Sequence, residues 1–192
     1  MKQSERIRSF IAVDIGVEVR AALSKVTRVL ARSDADARWV RPEGMHATLK
    51  FLGGVDSNRL DQVHDALVTA ADGHGALRLH VAGLGAFPSL RRPRVLWAGL
   101  HCPGLRELAA SIDEALVPLG FEPEKRAFNA HVTLARLRSL RGWENLAPAV
   151  EAHAEDEFGR VAVAAVVLYR STLRRDGAVY TPLWTIPLAQ HK

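Results

Sequence analysis

Cysteine is almost missing from this chain of 192 residues, where Cys102 stands alone. A single thiol excludes an internal disulfide and a thiolate metal site, and it fits a reducing cytoplasm. Long apolar runs are missing too. None approaches the roughly 18 residues that mark a membrane-spanning helix, so no membrane partner is expected. The opening MKQSERIRSFIAVDI carries a short apolar run with no small-residue cleavage site behind it, and reads as no secretory leader. A G-x-x-x-x-G-K-[ST] loop is absent, which argues against a nucleoside triphosphatase. His64, His74, His80, His101, His153 and His191 show no metal-ligand spacing with cysteine or carboxylates and read as structural. No metal and no cofactor are expected. Low-complexity linkers are lacking as well, so residues 1–192 are expected to form one domain, and a monomer.

What is present is ordinary in bulk. Hydrophobic residues make up 48% and charged residues 24%, as in soluble globular proteins. The net charge is +5, and 21 of the 26 basic residues are arginine. Two causes fit: a genome rich in arginine codons, or an anionic partner gripped by bidentate guanidinium groups. Charge alone does not choose between them.

The informative feature is a repeated tetrapeptide. His46-Ala-Thr-Leu49 opens HATLKFLG, and His131-Val-Thr-Leu134 opens HVTLARL. At this composition H-x-T-L is expected only about 0.04 times in the chain, so two copies call for a cause. In the first copy Ala47, Leu49 and Phe51 alternate with His46, Thr48 and Lys50. That alternation predicts a strand with an apolar and a polar face.

The surroundings repeat as well. Phe10–Ile15 and Val95–Leu100 are strand-like runs upstream of the two histidines. Each leads into a helical pattern: Val19, Ala22, Leu23, Val26, Val29 and Leu30, then Leu105, Leu108, Ala109, Ile112, Leu116 and Leu119. Downstream, Asp56-Ser57-Asn58 is a candidate N-cap cluster for a helix on Leu60, Val63, Leu67, Ala70 and Ala71. A helix from about Trp143 to Asp156 is its counterpart. Strands follow at Leu77–Val81 and Val161–Val167. Asp176-Gly177 predicts a hairpin between a strand before it and one holding Trp184. The order strand, helix, His-Thr strand, helix, strand thus occurs twice. It predicts an α+β fold of two pseudo-symmetric lobes, each an antiparallel or mixed sheet with helices outside, facing across a central cleft.

Two lobes related by a pseudo-two-fold would bring both imidazoles and both hydroxyls to one site. Paired histidines suit displacement at phosphorus, one taking a proton from the attacking oxygen and one giving a proton to the departing oxygen. Thr48 and Thr133 could each donate to a non-bridging phosphate oxygen. Phe10 and Trp39 are candidate stacking platforms for a base. Arg41, Arg91, Arg92 and Arg138 could line an RNA path, although each alone reads better as a solvated charge.

On these motifs the chain resembles the two-histidine phosphoesterase superfamily, and within it the bacterial and archaeal RNA 2′,3′-cyclic phosphodiesterases, also called 2′-5′ RNA ligases. The likeness extends to Arg8–Val13, Trp39–His46, Phe87-Pro88-Ser89, Ala130–Arg136, Tyr169-Arg170-Ser171 and Tyr180–Leu183. The resemblance implies metal-free hydrolysis of 2′,3′-cyclic phosphate ends of RNA to 2′-phosphates, with His46 as general acid and His131 as general base. It also implies that Thr48 and Thr133 hold the phosphate, and that Arg136 neutralises charge on the phosphorane. Strict strand parity puts Arg136 on the face opposite His131, so this role requires it to lie past the strand end or at a bulge. Within the superfamily the alternatives are a phosphodiesterase for small cyclic phosphates, such as a cyclic nucleotide or ADP-ribose cyclic phosphate, and a non-catalytic RNA-binding protein.

Overall fold

The computed structural model describes residues 5–174 and 177–189. Strand β1 (Arg6–Val13) is followed by helix α1 (Val17–Leu30), the short β2 (Ala37–Trp39), β3 (Ala47–Asp56), α2 (Leu60–Asp72) and β4 (Leu77–Phe87). The second half runs β5 (Val95–His101), α3 (Pro103–Leu116), β6 (His131–Leu137), α4 (Trp143–Ala152), β7 (Glu157–Val163), β8 (Ala165–Arg174) and β9 (Gly177–Pro187). The helices form where the apolar spacing requires them. Val19, Leu23, Val26 and Leu30 of α1, and Leu105, Ala109, Ile112 and Leu116 of α3, are buried against one face of the sheet.

The strands make a sheet of order β7-β4-β5-β6-β3-β1-β8-β9, with β2 added to β6. Every pairing of these strands is antiparallel. The order is palindromic about the β6–β3 seam, so β3, β1, β8 and β9 answer to β6, β5, β4 and β7. The first four form one lobe and the second four the other. At the seam the lobes touch through a single registered pair, Ala47 opposite Val132.

Two sequence expectations need correction. The apolar run Val161–Val167 is not one strand. It breaks at Ala164, and β7 completes the edge beside β4 while β8 crosses to pair with β1. The first half therefore gives its last strand, β4, to the second lobe, and the second half gives its last two, β8 and β9, to the first, which the repeat alone did not reveal. Asp56-Ser57-Asn58 does not cap α2 directly, because Ser57–Arg59 forms a 3-10 turn ahead of it. The β8–β9 hairpin is present, with Arg174 paired to Gly177, while Arg175 and Asp176 of its turn lie outside the described residues.

Candidate active site

The seam builds the site. Ala47 and Val132 are 1% and 0% exposed and point into the core. Their neighbours must point the other way, into the cleft. Extending the antiparallel register by one residue each way sets His46 opposite Thr133 and Thr48 opposite His131. One short crossing of two strands thus gathers four side chains onto one face, each partly open to solvent.

Each imidazole is oriented by backbone two residues upstream. His131 Nδ1 lies 2.7 Å from the Asn129 carbonyl, which accepts its proton and leaves Nε2 bare toward the cleft. His46 bonds to the Gly44 backbone in the same relation. Burial lowers the pKa of His46 to about 4, with smaller contributions from Arg20 and from His131 itself; the Gly44 bond and Asp14 oppose the shift. Burial also lowers His131, opposed by the Asn129 bond and assisted by the charge of Arg136. Both histidines therefore stand neutral in the unliganded site near pH 7.

Arg136 reaches the cleft by a bulge. In β6 the partner of Trp97 is Thr133 but the partner of Leu96 is Ala135, so Leu134 is an extra residue. Leu134 and Ala135 are both fully buried, parity flips, and Arg136 emerges on the same face as His131 and Thr133. In β3 the partner of Ala12 is Thr48 and that of Ile11 is Lys50, so Leu49 is the extra residue there. The leucine of both H-x-T-L copies is the bulged residue.

This bulge overturns the expected face of two side chains. Lys50 is not on the polar face: it is 9% exposed and points away from the cleft, bonding Asp113 of α3 and, at 2.9 Å, the Glu122 carbonyl. Phe51, expected in the core, is 64% exposed on the cleft wall, in the position that Arg136 holds in the other lobe.

Phe10 is corrected as well. It is 2% exposed and packed among three rings: His46 (centroids 4.7 Å apart), Tyr169 (5.2 Å) and, in a T-shaped contact, Tyr180 (4.9 Å), with His46 and Tyr169 themselves 6.1 Å apart. At that burial no base can stack on it, and Phe10 instead forms the floor under His46. Trp39 is partly buried against the core in β2. Burial and the Asp14 charge push the Tyr169 hydroxyl up, so it stays protonated. Sequence reading missed Phe51, Tyr169 and Tyr180 as site residues. A duplicated bulge, visible only as the shared leucine, was the signal that pointed to Phe51.

The second lobe supports its histidine differently. Phe87 meets His131 edge-on at 5.1 Å and packs against Trp97, also at 5.1 Å. Trp97 can lie flat because Gly85 is beneath it, where a Cβ would come within 2.3 Å of the indole. His101, read as structural, lines the open cleft that borders this group.

Known proteins share both fold and sequence. The LigT like Phosphoesterase model matches residues 13–97 and 102–180. An RNA 2′,3′-cyclic phosphodiesterase of Methanothermobacter thermautotrophicus is 32% identical over 179 residues, covering 93% of this chain and 97% of the relative. A Thermus thermophilus protein of known crystal structure aligns with a TM-score of 0.82 at 29% identity, over 97% of this chain and 100% of that one. E. coli LigT complexed with 3′-AMP aligns with a TM-score of 0.75 at 27% identity, with the same coverage. The chain belongs to the LigT-like phosphoesterase family.

Proposed function

We propose that this protein is an RNA 2′,3′-cyclic phosphodiesterase that opens cyclic phosphate ends to 2′-phosphates with two histidines and no metal. One observation carries the reading: the seam register that sets His46, Thr48, Thr133 and His131 on one face of the sheet. The names of the relatives supply the substrate class. Residues 1–192 act as one unit here, since each half brings one histidine and one threonine.

In the forward direction a water oxygen attacks phosphorus in line with O3′. His131 Nε2, kept bare by the bond from Nδ1 to Asn129, takes the water proton as the P–O bond forms. The Arg136 charge disfavours its imidazolium in the free site, which suits a base. His46 gives its proton to O3′ as that bond breaks. Its proton is stabilised once an anionic phosphate lies in the cleft, since opposite charge raises an imidazole pKa. Thr48 and Thr133 donate to the non-bridging oxygens, and Arg136 offsets the charge that grows on the phosphorane. With a 5′-hydroxyl in place of water, the same steps form a 2′-5′ linkage.

Phe51 is the reading's stacking platform for the base, in the role first considered for Phe10. An RNA-binding protein without activity would need no acid and base paired across a seam. The deciding experiment offers cyclic-ended RNA, 2′,3′-cyclic mononucleotides and ADP-ribose cyclic phosphate side by side and locates the product phosphate by ³¹P NMR. RNA ends turned over to 2′-phosphates support the proposal. Turnover confined to a small cyclic phosphate transfers the site to that substrate, and no turnover at all leaves a binding protein.

A further inference from the structure

The first helices of the two lobes match closely, but the lobes differ at the residue beside each histidine. Val19, Leu23, Val26 and Leu30 of α1 correspond to Leu105, Ala109, Ile112 and Leu116 of α3, each pair 86 residues apart. On that register Arg20 answers to Arg106. Arg20 is neutralised: its Nη2 donates to Asp14 Oδ1, and the same oxygen accepts from the backbone of Ile15 at 2.7 Å and Gly16 at 3.2 Å. Asp14 follows Val13, which pairs with Ala47, so the carboxylate falls beside His46.

In the second lobe this place belongs to Gly99, directly opposite His131. No side chain fits there, because a Cβ on Gly99 would come within 2.6 Å of the Ala82 carbonyl oxygen. Arg106 is therefore left without its carboxylate and is exposed. An open cleft of about 560 Å³ lies alongside, lined by Phe87, Trp97, Gly99, His101, Arg106 and Asn129 among others, and none of its lining residues is acidic. The cleft borders the reaction centre, for Phe87 touches the His131 ring and Asn129 holds its Nδ1.

A guanidinium whose twin is paired with a carboxylate, but which itself lines an open cleft without an acidic residue, calls for an anion from outside. We propose that Arg106, assisted by His101, binds the phosphate on the 5′ side of the nucleotide that bears the cyclic phosphate. The proposal rests on the cyclic phosphodiesterase reading. That phosphate is the nearest anion that the substrate strand itself carries, and guanidinium binds phosphate in a bidentate, charge-assisted way. Free nucleoside 2′,3′-cyclic phosphates with a 5′-hydroxyl lack it. The subsite thus distinguishes an RNA end from a loose cyclic mononucleotide by charge, without reading sequence.

The test compares a nucleoside 2′,3′-cyclic phosphate bearing a 5′-phosphate with one bearing a 5′-hydroxyl. Two further substrates are dinucleotide cyclic phosphates, one with a diester internal linkage and one with a neutral methylphosphonate. Arg106→Ala is expected to raise KM about tenfold for the 5′-phosphorylated and diester substrates. It should leave kcat unchanged, and leave the 5′-hydroxyl and methylphosphonate substrates unaffected. Arg106→Lys should restore part of the loss. An equal effect on charged and neutral substrates, or none on either, overturns the subsite while leaving the phosphodiesterase reading intact. Failure of the wild-type protein to open any of the four overturns both.

Discussion

Burial works against charge at both imidazoles, most strongly at His46, whose pKa falls to about 4. Catalysis by one acid and one base needs one proton on the pair, so the profile of kcat/KM, which reports the free protein, should peak on the acid side of 6.5. The profile of kcat should lie at higher pH, because bound phosphate favours imidazolium. Histidine NMR titrations with and without a 2′-nucleotide check this directly, and an unliganded His46 titrating at 6.5 or above would refute it. The same shift sets a stability slope. A His protonated near 6.5 when unfolded but near 4 when folded takes up its proton preferentially in the unfolded state between those values. Stability is therefore full above 6.5 and falls as pH drops toward 4, by on the order of 3 kcal/mol from this group alone. His46→Gln should flatten that part of the denaturation-versus-pH curve. In turnover, His46→Ala or His131→Ala should each cost on the order of 10² to 10⁴, and the double variant far less than the product of the two. A single variant with near-wild-type turnover would remove that histidine from the chemistry.

The bulge is the device at the scale of elements, and it has two measurable consequences in β3. Carried to the cleft wall, Phe51 packs little of itself, so Phe51→Ala should leave the melting temperature almost unchanged. It should raise KM for base-bearing substrates about tenfold if stacking is worth its usual amount, with Phe51→Trp near wild type. Turned to the opposite side, Lys50 holds β3 to α3 through Asp113, with side chains 8% and 21% exposed. Lys50→Ala leaves the Asp113 carboxylate without its counter-charge, held only by the Glu124 amide at 3.0 Å, and should cost roughly 3 kcal/mol, while Lys50→Met with Asp113→Asn should recover most of that, as measured by urea denaturation. Equal losses in the single and double variants would show that packing, not the uncompensated charge, sets the cost. These same residues mark how far the sequence could be read. Period-3.6 spacing announced α1 and α3, and the paired H-x-T-L copies announced the histidines, because both signals are local. Lys50 and Phe51 were assigned to the wrong faces because a bulge adds one residue without changing composition. The passage of β4 to the second lobe, and of β8 and β9 to the first, was hidden for a related reason: partner choice in a sheet depends on chain crossings, and β4 and β8 are similarly apolar.

Taken as a whole molecule, the protein uses duplication to place two like groups and then breaks the symmetry around them. His46 lies on an aromatic floor with Asp14 and Arg20 close by, and His131 has Arg136 beside it. That arrangement bears on how charge is met during reaction. Metal-assisted phosphoryl transfer draws on carboxylates, or on histidines with carboxylates, set to hold a cation against the phosphate. Among the described residues no group of three His, Cys, Asp or Glu side chains is placed to do so. Asp14, the acid beside His46, is committed to Arg20 and to two backbone amides. The groups that face the seam are donors instead: two hydroxyls, an arginine, and an imidazole once protonated. They suit an oxyanion directly, and in the proposed mechanism hydrogen bonds and guanidinium charge do the work that a cation would otherwise do. Opening a five-membered cyclic phosphate also releases ring strain, which lowers the stabilisation required of the site. Turnover is therefore expected to persist unchanged after exhaustive chelation and to gain nothing from added Mg²⁺ or Mn²⁺. Arg136→Ala should reduce kcat by at least tenfold under the same conditions, since it removes the full positive charge that the bulge places beside His131. Activity lost to chelator and restored by a divalent cation, with Arg136→Ala near wild type, would mean that a metal supplies the charge here assigned to the arginine.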